Sequence, residues 1–508
     1  MHNYNTALFH ILKSIEKKPV MSNATEKSPL LPSTQESNIR TRISRELILI
    51  WRIAIPGIIF RVSSFGCIIV TQSFIGHMSS LLLAAFALEQ TVFLRFLNGI
   101  MIGMSSATET LCGQAFGAGQ HHMLGIYLQR SWIVNFATVT IWTPLYIFSK
   151  QILSAIGQNR QVAESASSVS LWFIPLSYSF VFSKSCQMYL QSQMRNQFVG
   201  WISALGFVLH LALSFLLVEK LRLGFPAASA SLVVVYWLIA AAELLYIMTG
   251  QCPDTWKGFD RAAFSQLWPV VKLSVSSGLM VCLQLWYDAI LVLISGYMPD
   301  AETKISAFST CLNINSVQKM ICLGLLSCAS VRVSNEIGRG NVKATKFSMQ
   351  VILTVSLVVG VTSFVLSLAL NKKMAVLFTN DEEVANAMAE LSIPLAFSML
   401  LNSLQTVLNG IAIGAGIQST VAIVNLGSFY LVGLPVGICL SFFTALQITV
   451  RGSLLRVLWF GQSVCMQGLW AGLLSGVLMQ TFFVSVVLLR TDWDKMIEKS
   501  SQRMNQWS

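Results

Sequence analysis

The sequence predicts an all-α polytopic membrane protein with twelve transmembrane helices in two six-helix lobes. Three observations support this prediction: the composition, a series of apolar runs and an internal repeat. Apolar residues make up 54% of the 508 residues and charged residues only 11%, against roughly a quarter charged in an ordinary soluble domain. Such a composition is typical of a chain that lies mostly in lipid.

Twelve apolar runs are each long enough to cross a membrane, which takes about 20 helical residues. We number them spans 1 to 12. The predicted spans are 47–75, 82–108, 126–148, 167–190, 199–218, 226–248, 267–297, 304–330, 346–370, 386–412, 419–443 and 464–489. The predicted domains are a disordered cytosolic tail (1–45), an N-lobe with spans 1 to 6 (46–250), an inter-lobe cytosolic loop (251–266), a C-lobe with spans 7 to 12 (267–490) and a cytosolic C-terminal tail (491–508).

The first lobe is repeated in the second. CGQAFGAGQ at 112–120 and SNEIGRGN at 334–341 both follow long apolar segments. An offset of roughly 220 residues also relates Gly103 to Gly324, Gly76 to Gly296, and IPL at 174–176 to IPL at 393–395. Because each copy holds an even number of spans, we expect a pseudo-twofold axis along the membrane normal. Secondary transporters often bind their substrate between such halves.

The N-terminal tail is polar, ends in the basic residues Arg40, Arg42 and Arg45, and shows no signal peptide. The positive-inside rule places it in the cytosol together with both glycine-rich motifs, which we expect to act as hinges. This bias accounts for the net charge of +12. No basic patch is interleaved with aromatic residues, so nucleic acid is not an expected partner. Met21 is an alternative start of the chain.

A sorting motif is predicted in this tail. Glu26, Leu30 and Leu31 form the acidic dileucine pattern ExxxLL, and on a flexible arm all three side chains can be reached by a clathrin-type adaptor. The motif favours the vacuolar membrane as the location of a multi-pass protein. The plasma membrane is the alternative.

An insertion is predicted between spans 11 and 12, at ITVRGSLLRVLWFGQSVC (448–465). Without it, this loop would be as short as its repeat counterpart at 218–225. It also places Arg451 and Arg456 on the membrane face that otherwise carries few positive charges. We expect a retained intron or a gene-prediction error. The alternative is a genuine extracytosolic amphipathic loop.

Five motifs carry a family resemblance: TQSFIGHM (71–78), ETLCGQAFGAGQ (109–120), GIYLQRSW (125–132), SVRVSNEIGRGN (330–341) and LLNSLQTVLNGIAIGAG (400–416). With them the chain resembles the multidrug and toxic compound extrusion (MATE) family, specifically its plant DETOXIFICATION branch. The resemblance implies a V-shaped fold of two six-helix lobes with a central cavity that opens alternately to either face. It also implies export of organic solutes, such as flavonoid glycosides, related phenolics or alkaloids, in exchange for protons.

Ionisable residues at membrane depth are candidates for proton coupling, because each costs roughly 2.5 to 3.5 kcal/mol on insertion scales and persists mainly where it faces a cavity or a partner. They are Arg61, Glu89, Arg95, Glu109, Lys184, Glu243, Asp288 and Lys319. The family typically carries a glutamate in span 7, in a motif like CLExWY. Here the motif reads CLQLWYD, so Gln284 occupies that position and Asp288 follows four residues later, on nearly the same helix face. We expect Asp288 to bind the coupling proton.

A polar cluster is predicted around Asp288. A second family acid, often an aspartate in span 10, corresponds to Asn402 in this chain. The residues expected to line the substrate cavity between spans 7, 8 and 10 are Gln284, Tyr287, Asn313, Asn315, Asn402 and Gln405. Alternatively, these side chains only join the helices through hydrogen bonds of around 0.6 kcal/mol each.

Two prolines are predicted hinges, Pro56 in span 1 and Pro269 at the start of span 7, because membrane helices bend at proline. The alternative is that proline is simply tolerated there. No metal site or cofactor is expected, since the ten cysteines lie mostly within spans, form no CxxC pair and can pack as small apolar residues.

The leading hypothesis is a monomeric antiporter that exchanges small organic solutes for protons and contacts membrane lipid. The main alternative is an anion conductance or uncoupled facilitator, since Gln284 and Asn402 are neutral while Arg61, Lys184 and Lys319 are cationic. A copy inactivated by the insertion is another alternative. An enzyme is not expected, because no nucleophile motif or His and Asp constellation is found.

Overall fold

The structure, a computed structural model, describes residues 39–295, 301–376, 388, 391–443 and 454–507. It separates residues 1–47 from residues 48–508 as two units. The tail residues Glu26, Leu30 and Leu31 lie outside the described residues. Nearly all of the described chain is helical, as predicted.

The N-lobe contains spans 1 to 6. Span 1 is the helix Ile39–Met78, span 4 is Arg160–Ser192 and span 6 is Gly224–Tyr246. Span 2 consists of the helices Ser80–Glu89 and Arg95–Gly117, joined by the π-helical segment Gln90–Leu94, and span 3 of the helices His121–Ile147 and Ser149–Ala155. Span 5 is the helix Asn196–Ser214, continued by the π-helical segment Phe215–Lys220. The two helices of span 3 meet at an angle of 61°.

The C-lobe contains spans 7 to 12. Spans 7 to 10 are the helices Leu267–Ser295, Ala301–Gly338, Val342–Val376 and Ser392–Ala415, and span 12 is the helix Leu454–Arg490. Span 11 consists of the helices Gln418–Asn425 and Leu434–Ile438 and of the π-helical segments Leu426–Gly433 and Cys439–Phe443. Within the described ranges, eleven helices are long and apolar enough to cross a membrane, or twelve if bent span 3 is counted. The predicted membrane fold class is confirmed.

Both ends of the described chain are helical. Span 1 begins at Ile39, so residues 39–45 are helical rather than part of a disordered tail. The C-terminal tail forms an amphipathic helix, Trp493–Trp507. Its Trp493 is buried, and Ser500 Oγ donates to Gln114 Oε1 of span 2 at 2.9 Å. Of the predicted insertion, residues 454–465 are helical and continuous with span 12, while 448–453 lie outside the described residues.

Both glycine-rich motifs are more ordered than the hinges that we predicted. Spans 2 and 8 continue as helices to Gly117 and Gly338, well past their predicted ends. Each then turns at a glycine with positive φ, 76° at Gly119 and 75° at Gly340. Glycine is favoured there because the left-handed conformation at a helix C-terminus strains any residue with a Cβ. The two copies of the repeat therefore end these helices in the same way.

The repeat is visible in how the two lobes touch. Gly57 of span 1 faces Gly324 of span 8, and Gly103 of span 2 faces Gly278 of span 7. In a twofold arrangement, a contact between two positions recurs between their symmetry mates. The mates here are Gly57 with Gly278 and Gly103 with Gly324, each 221 residues apart (278 − 57 and 324 − 103). These two contacts are therefore the same contact seen from each lobe, which supports the predicted pseudo-twofold relation.

The glycine-rich motifs obey the same symmetry. A Cβ added at Gly117 would overlap the carbonyl oxygen of Asn335, and one added at Gly338 would overlap that of Gln114. Asn335 lies three residues before Gly338, just as Gln114 lies three before Gly117. Small residues allow helix backbones to approach this closely. Spans 2 and 8 are consequently packed backbone to backbone at the ends that we predict to be cytosolic.

Candidate functional site

Six polar side chains of spans 7, 8 and 10 form a closed ring, which we call the C-lobe ring. Each span contributes two residues three or four positions apart: Gln284 and Asp288, Asn315 and Lys319, and Asn402 and Gln405. This spacing places both residues of a helix on one face. The three polar faces therefore turn toward a common centre.

Three contacts close the ring, and each joins a different pair of spans. Gln284 Nε2 donates to Gln405 Oε1 at 3.5 Å, between spans 7 and 10. Asn402 Nδ2 donates to Asn315 Oδ1 at 3.2 Å, between spans 10 and 8. Lys319 Nζ pairs with Asp288 Oδ2 at 3.3 Å, between spans 8 and 7. Loss of any one contact is therefore expected to affect how all three helices pack.

The ring has a buried side and an accessible side. The amides of Asn315, Asn402 and Gln405 are buried, whereas the side chains of Asp288 and Lys319 are 28% and 23% exposed. Gln405 Nε2 is buried and has no hydrogen-bond partner among the described residues. Because an unpaired buried donor is costly, this amide marks a position where water or a polar solute would be stabilised. The ion pair of Asp288 and Lys319 lies on the accessible side.

Sequence reasoning identified both charged members of the ring but did not pair them. Lys319 was predicted only as an isolated cation at membrane depth. A signal for the pairing exists, since a buried charge requires an opposite charge and Asp288 is the acid that we placed at membrane depth in the C-lobe. The ion pair shows how the chain keeps both charges within the lobe.

Tyr287 does not join the ring. Its hydroxyl donates to the carbonyl oxygen of Gly472 in span 12 at 2.9 Å, and its ring stacks on Phe429 of span 11 with centroids 4.9 Å apart. Successive side chains on an α-helix point about 100° apart around the helix axis. Tyr287 and Asp288 therefore lie on different faces of span 7. Asn313 lies on span 8, but its side chain is outside the described part of the chain.

The two predicted hinges differ. Pro56 lies inside the span 1 helix and packs closely on Gly200 of span 5, where an added Cβ would lie 3.0 Å from Pro56 Cα. Asn196 Nδ2 donates to the carbonyl oxygen of Ile53 at 3.1 Å, so a side chain of span 5 supports the backbone near the proline. Pro269 is the third residue of its helix, where no hydrogen bond is lost and no kink follows. Pro269 therefore lies at the start of span 7, as expected, and its role as a hinge stays a prediction.

The N-lobe holds a second group of charges. Glu109 accepts a hydrogen bond from Gln191 Nε2 at 2.6 Å, and Glu243 accepts one from Gln187 Nε2 at 3.1 Å. Both carboxyl groups are buried, as is that of Glu89. Glutamine amides thus donate hydrogen bonds to two of the buried acids of the N-lobe, Glu109 and Glu243.

Comparison with known proteins follows the same division into two copies. The MatE family model matches twice, at residues 56–216 and 277–439. The chain is 46% identical to Protein DETOXIFICATION 24 of Arabidopsis thaliana, over 92% of this chain and 90% of that protein. It is also 46% identical to Protein DETOXIFICATION 21 of Arabidopsis thaliana, over 93% and 92%.

Solved structures share the fold. The crystal structure of the eukaryotic MATE transporter AtDTX14 superimposes with a TM-score of 0.83 at 27% identity, and covers 91% of this chain and 99% of that chain. The Vibrio cholerae MATE transporter VcmN in the bent form gives a TM-score of 0.72 at 16% identity, over 91% and 99%. The second similarity shows a common fold alone.

Proposed function

This chain belongs to the MatE family, in its DETOXIFICATION branch, whose members are transporters and not enzymes, and on that basis we propose how it works. It moves organic solutes of flavonoid, phenolic or alkaloid type across a membrane in exchange for protons, by alternating access. It acts as a monomer at the vacuolar membrane, with the plasma membrane as the alternative location.

The C-lobe ring is the observation that supports this function. Asp288 is the acid of the ring, and its carboxyl group is accessible and paired with Lys319. Protonation of Asp288 removes the attraction between the two side chains, so the contact between spans 7 and 8 weakens. Coupling requires that the proton be bound with different affinity in the two access states. An acid whose partner lies on another helix meets this requirement, because helix movement changes its surroundings.

The energy available is sufficient for accumulation. One pH unit corresponds to about 1.4 kcal/mol, so a gradient of about two units supplies roughly 2.7 kcal/mol per proton. An exchange of one proton for one solute molecule then supports about hundredfold accumulation. A single coupling acid is enough for this purpose.

Uptake into vesicles with an imposed pH difference tests the proposed function. We expect vesicles with an acidic interior to accumulate a phenolic glycoside as protons leave, and we expect a protonophore to abolish this uptake. The alternative, an anion conductance or uncoupled facilitator, is favoured by the neutral Gln284 and by Lys319, which balances the charge of Asp288. This alternative predicts uptake that is insensitive to the protonophore and depends on the membrane voltage.

Gln284→Glu is expected to strengthen coupling. The new carboxyl group would replace the amide that contacts Gln405 and would place a second acid in the ring, one turn from Asp288. Its oxygen can accept from the Gln405 amide nitrogen, which has no partner at present among the described residues. The measurement is the initial uptake rate as a function of the pH difference, with Gln284→Asn as a neutral control. An unchanged rate in Gln284→Glu would show that this position lies outside the coupling site.

A further inference from the structure

Lys184 of span 4 is a cation with free hydrogen-bonding capacity. Its Nζ lies 5.5 Å from the ring centroids of both Phe60 in span 1 and Phe180 in span 4. Cation–π attraction orients the ammonium between the rings, but it satisfies none of its three N–H donors. Among the residues that the structure describes, Nζ has no hydrogen-bond acceptor. The side chain is only partly buried, so a ligand can approach it.

Arg61 is a second cation beside the first. It follows Phe60 on span 1, and its Cζ lies 6.0 Å from the centroid of the Phe60 ring that Lys184 also approaches. Arg61 Nη2 donates to Ser327 Oγ of span 8 at 3.3 Å, while its buried Nε has no partner in the described part of the chain. Two like charges thus share one region where span 1 contacts the C-lobe. An anion between them would relieve their repulsion.

The neighbouring acids lie deeper than the cations. Glu109 attracts Arg61, and Glu243 attracts Lys184, but neither acid forms a direct ion pair with them in the described ranges. Each carboxyl group is buried and bonded to a glutamine amide. Arg61 and Lys184 retain exposed surface. The partly exposed side chains here are therefore the two cations and Phe60, while the two carboxyl groups are buried.

We infer that this region of the N-lobe is a binding site for aromatic organic anions, in which Lys184 and Arg61 bind a carboxylate or phenolate and the partly exposed Phe60 contacts the ring. Ionised donors and acceptors form the stronger class of hydrogen bonds, and aromatic rings pack favourably on one another. The role of this site rests on the proposed transport function. The site selects anionic phenolics over cationic alkaloids as transported solutes. Because Arg61 contacts Ser327 of span 8, the bound anion lies where the two lobes meet.

Binding to the purified full chain in lipid nanodiscs tests the site without any transport step. The probes are cinnamate and its neutral analogue cinnamamide, titrated by calorimetry. We expect the native protein to bind cinnamate about tenfold or more tightly than cinnamamide, which corresponds to one charge-assisted hydrogen bond. Lys184→Gln should lose this preference, and Lys184→Arg should keep it. Lys150→Gln, at an exposed ion pair with Glu164, is the matched control and should also keep it.

Equal affinity of the native protein for the two probes would overturn the inference, and this comparison needs no variant. An undiminished preference in folded Lys184→Gln would overturn it as well. If Lys184→Gln does not fold, Phe60→Leu takes its place. Weaker binding of both probes is then expected, and unchanged binding would contradict the site. A chain that binds cinnamate but shows no proton-driven uptake would retain this site and lose the coupling mechanism.

Discussion

Asp288→Asn is expected to abolish the part of solute uptake that a pH gradient drives. Asparagine keeps the size and polarity of the side chain but cannot bind and release a proton. In the C-lobe ring it also ends the ion pair with Lys319. The measurement is uptake into vesicles with and without an imposed pH difference. Binding of the solute at equal pH on both sides should remain, because the amides of the ring are retained.

The loss of the ion pair complicates this variant, and a second variant resolves it. Removing one partner of a fully buried pair costs about 3 to 5 kcal/mol, and less is expected here because both side chains are about a quarter exposed. Asp288→Asn with Lys319→Gln replaces the pair by two neutral side chains and leaves no unpaired charge. If this double variant recovers proton-driven uptake, Asp288 is one half of a structural ion pair, and the coupling proton binds elsewhere.

The spans and the duplication depend on local sequence, which is why the order of residues alone predicts them. Apolar runs define spans because the membrane sets their length, and a repeat appears as constant spacing between glycines. The four-residue spacing of Gln284 and Asp288 likewise places them on one face of any α-helix that contains both. These properties belong to single helices, or to the comparison of one helix with its copy.

Contacts between spans were harder to predict, since they depend on how each helix is rotated and how deep it lies. Tyr287 shows the limit: it directly precedes Asp288 in the chain, yet its hydroxyl bonds to Gly472 of span 12. The pairing of Lys319 with Asp288 crosses from span 8 to span 7, and no spacing along one helix encodes it. The extent of spans 2 and 8 was underestimated because glycine usually indicates a turn, whereas here several glycines serve close helix packing.

The symmetric glycine contacts allow a test of the twofold relation at the level of single atoms. A Cβ added at Gly103 would overlap the backbone of Gly278, and one added at Gly324 would overlap Ile58 and lie 3.0 Å from the carbonyl oxygen of Ala54. These two glycines are repeat mates, and both are tightly enclosed. The other two positions are roomier. A Cβ at Gly57 would lie 3.7 Å from Gly324 Cα, and one at Gly278 would lie 3.9 Å from the carbonyl oxygen of Ile100.

Gly103→Ala and Gly324→Ala are therefore expected to destabilise the protein by about 1 to 3 kcal/mol each, the usual cost of overpacking, and to lower uptake because the lobes no longer meet in the same geometry. Gly57→Ala and Gly278→Ala serve as matched controls, with changes within about 0.5 kcal/mol. Thermal unfolding of the four purified variants gives the comparison. Equal destabilisation of all four variants would show that the close approach of the lobes is not what excludes a larger side chain at these positions. The effect should be larger at Gly103, where the added Cβ meets the backbone of Gly278, than at Gly324, where the Ile58 side chain can shift.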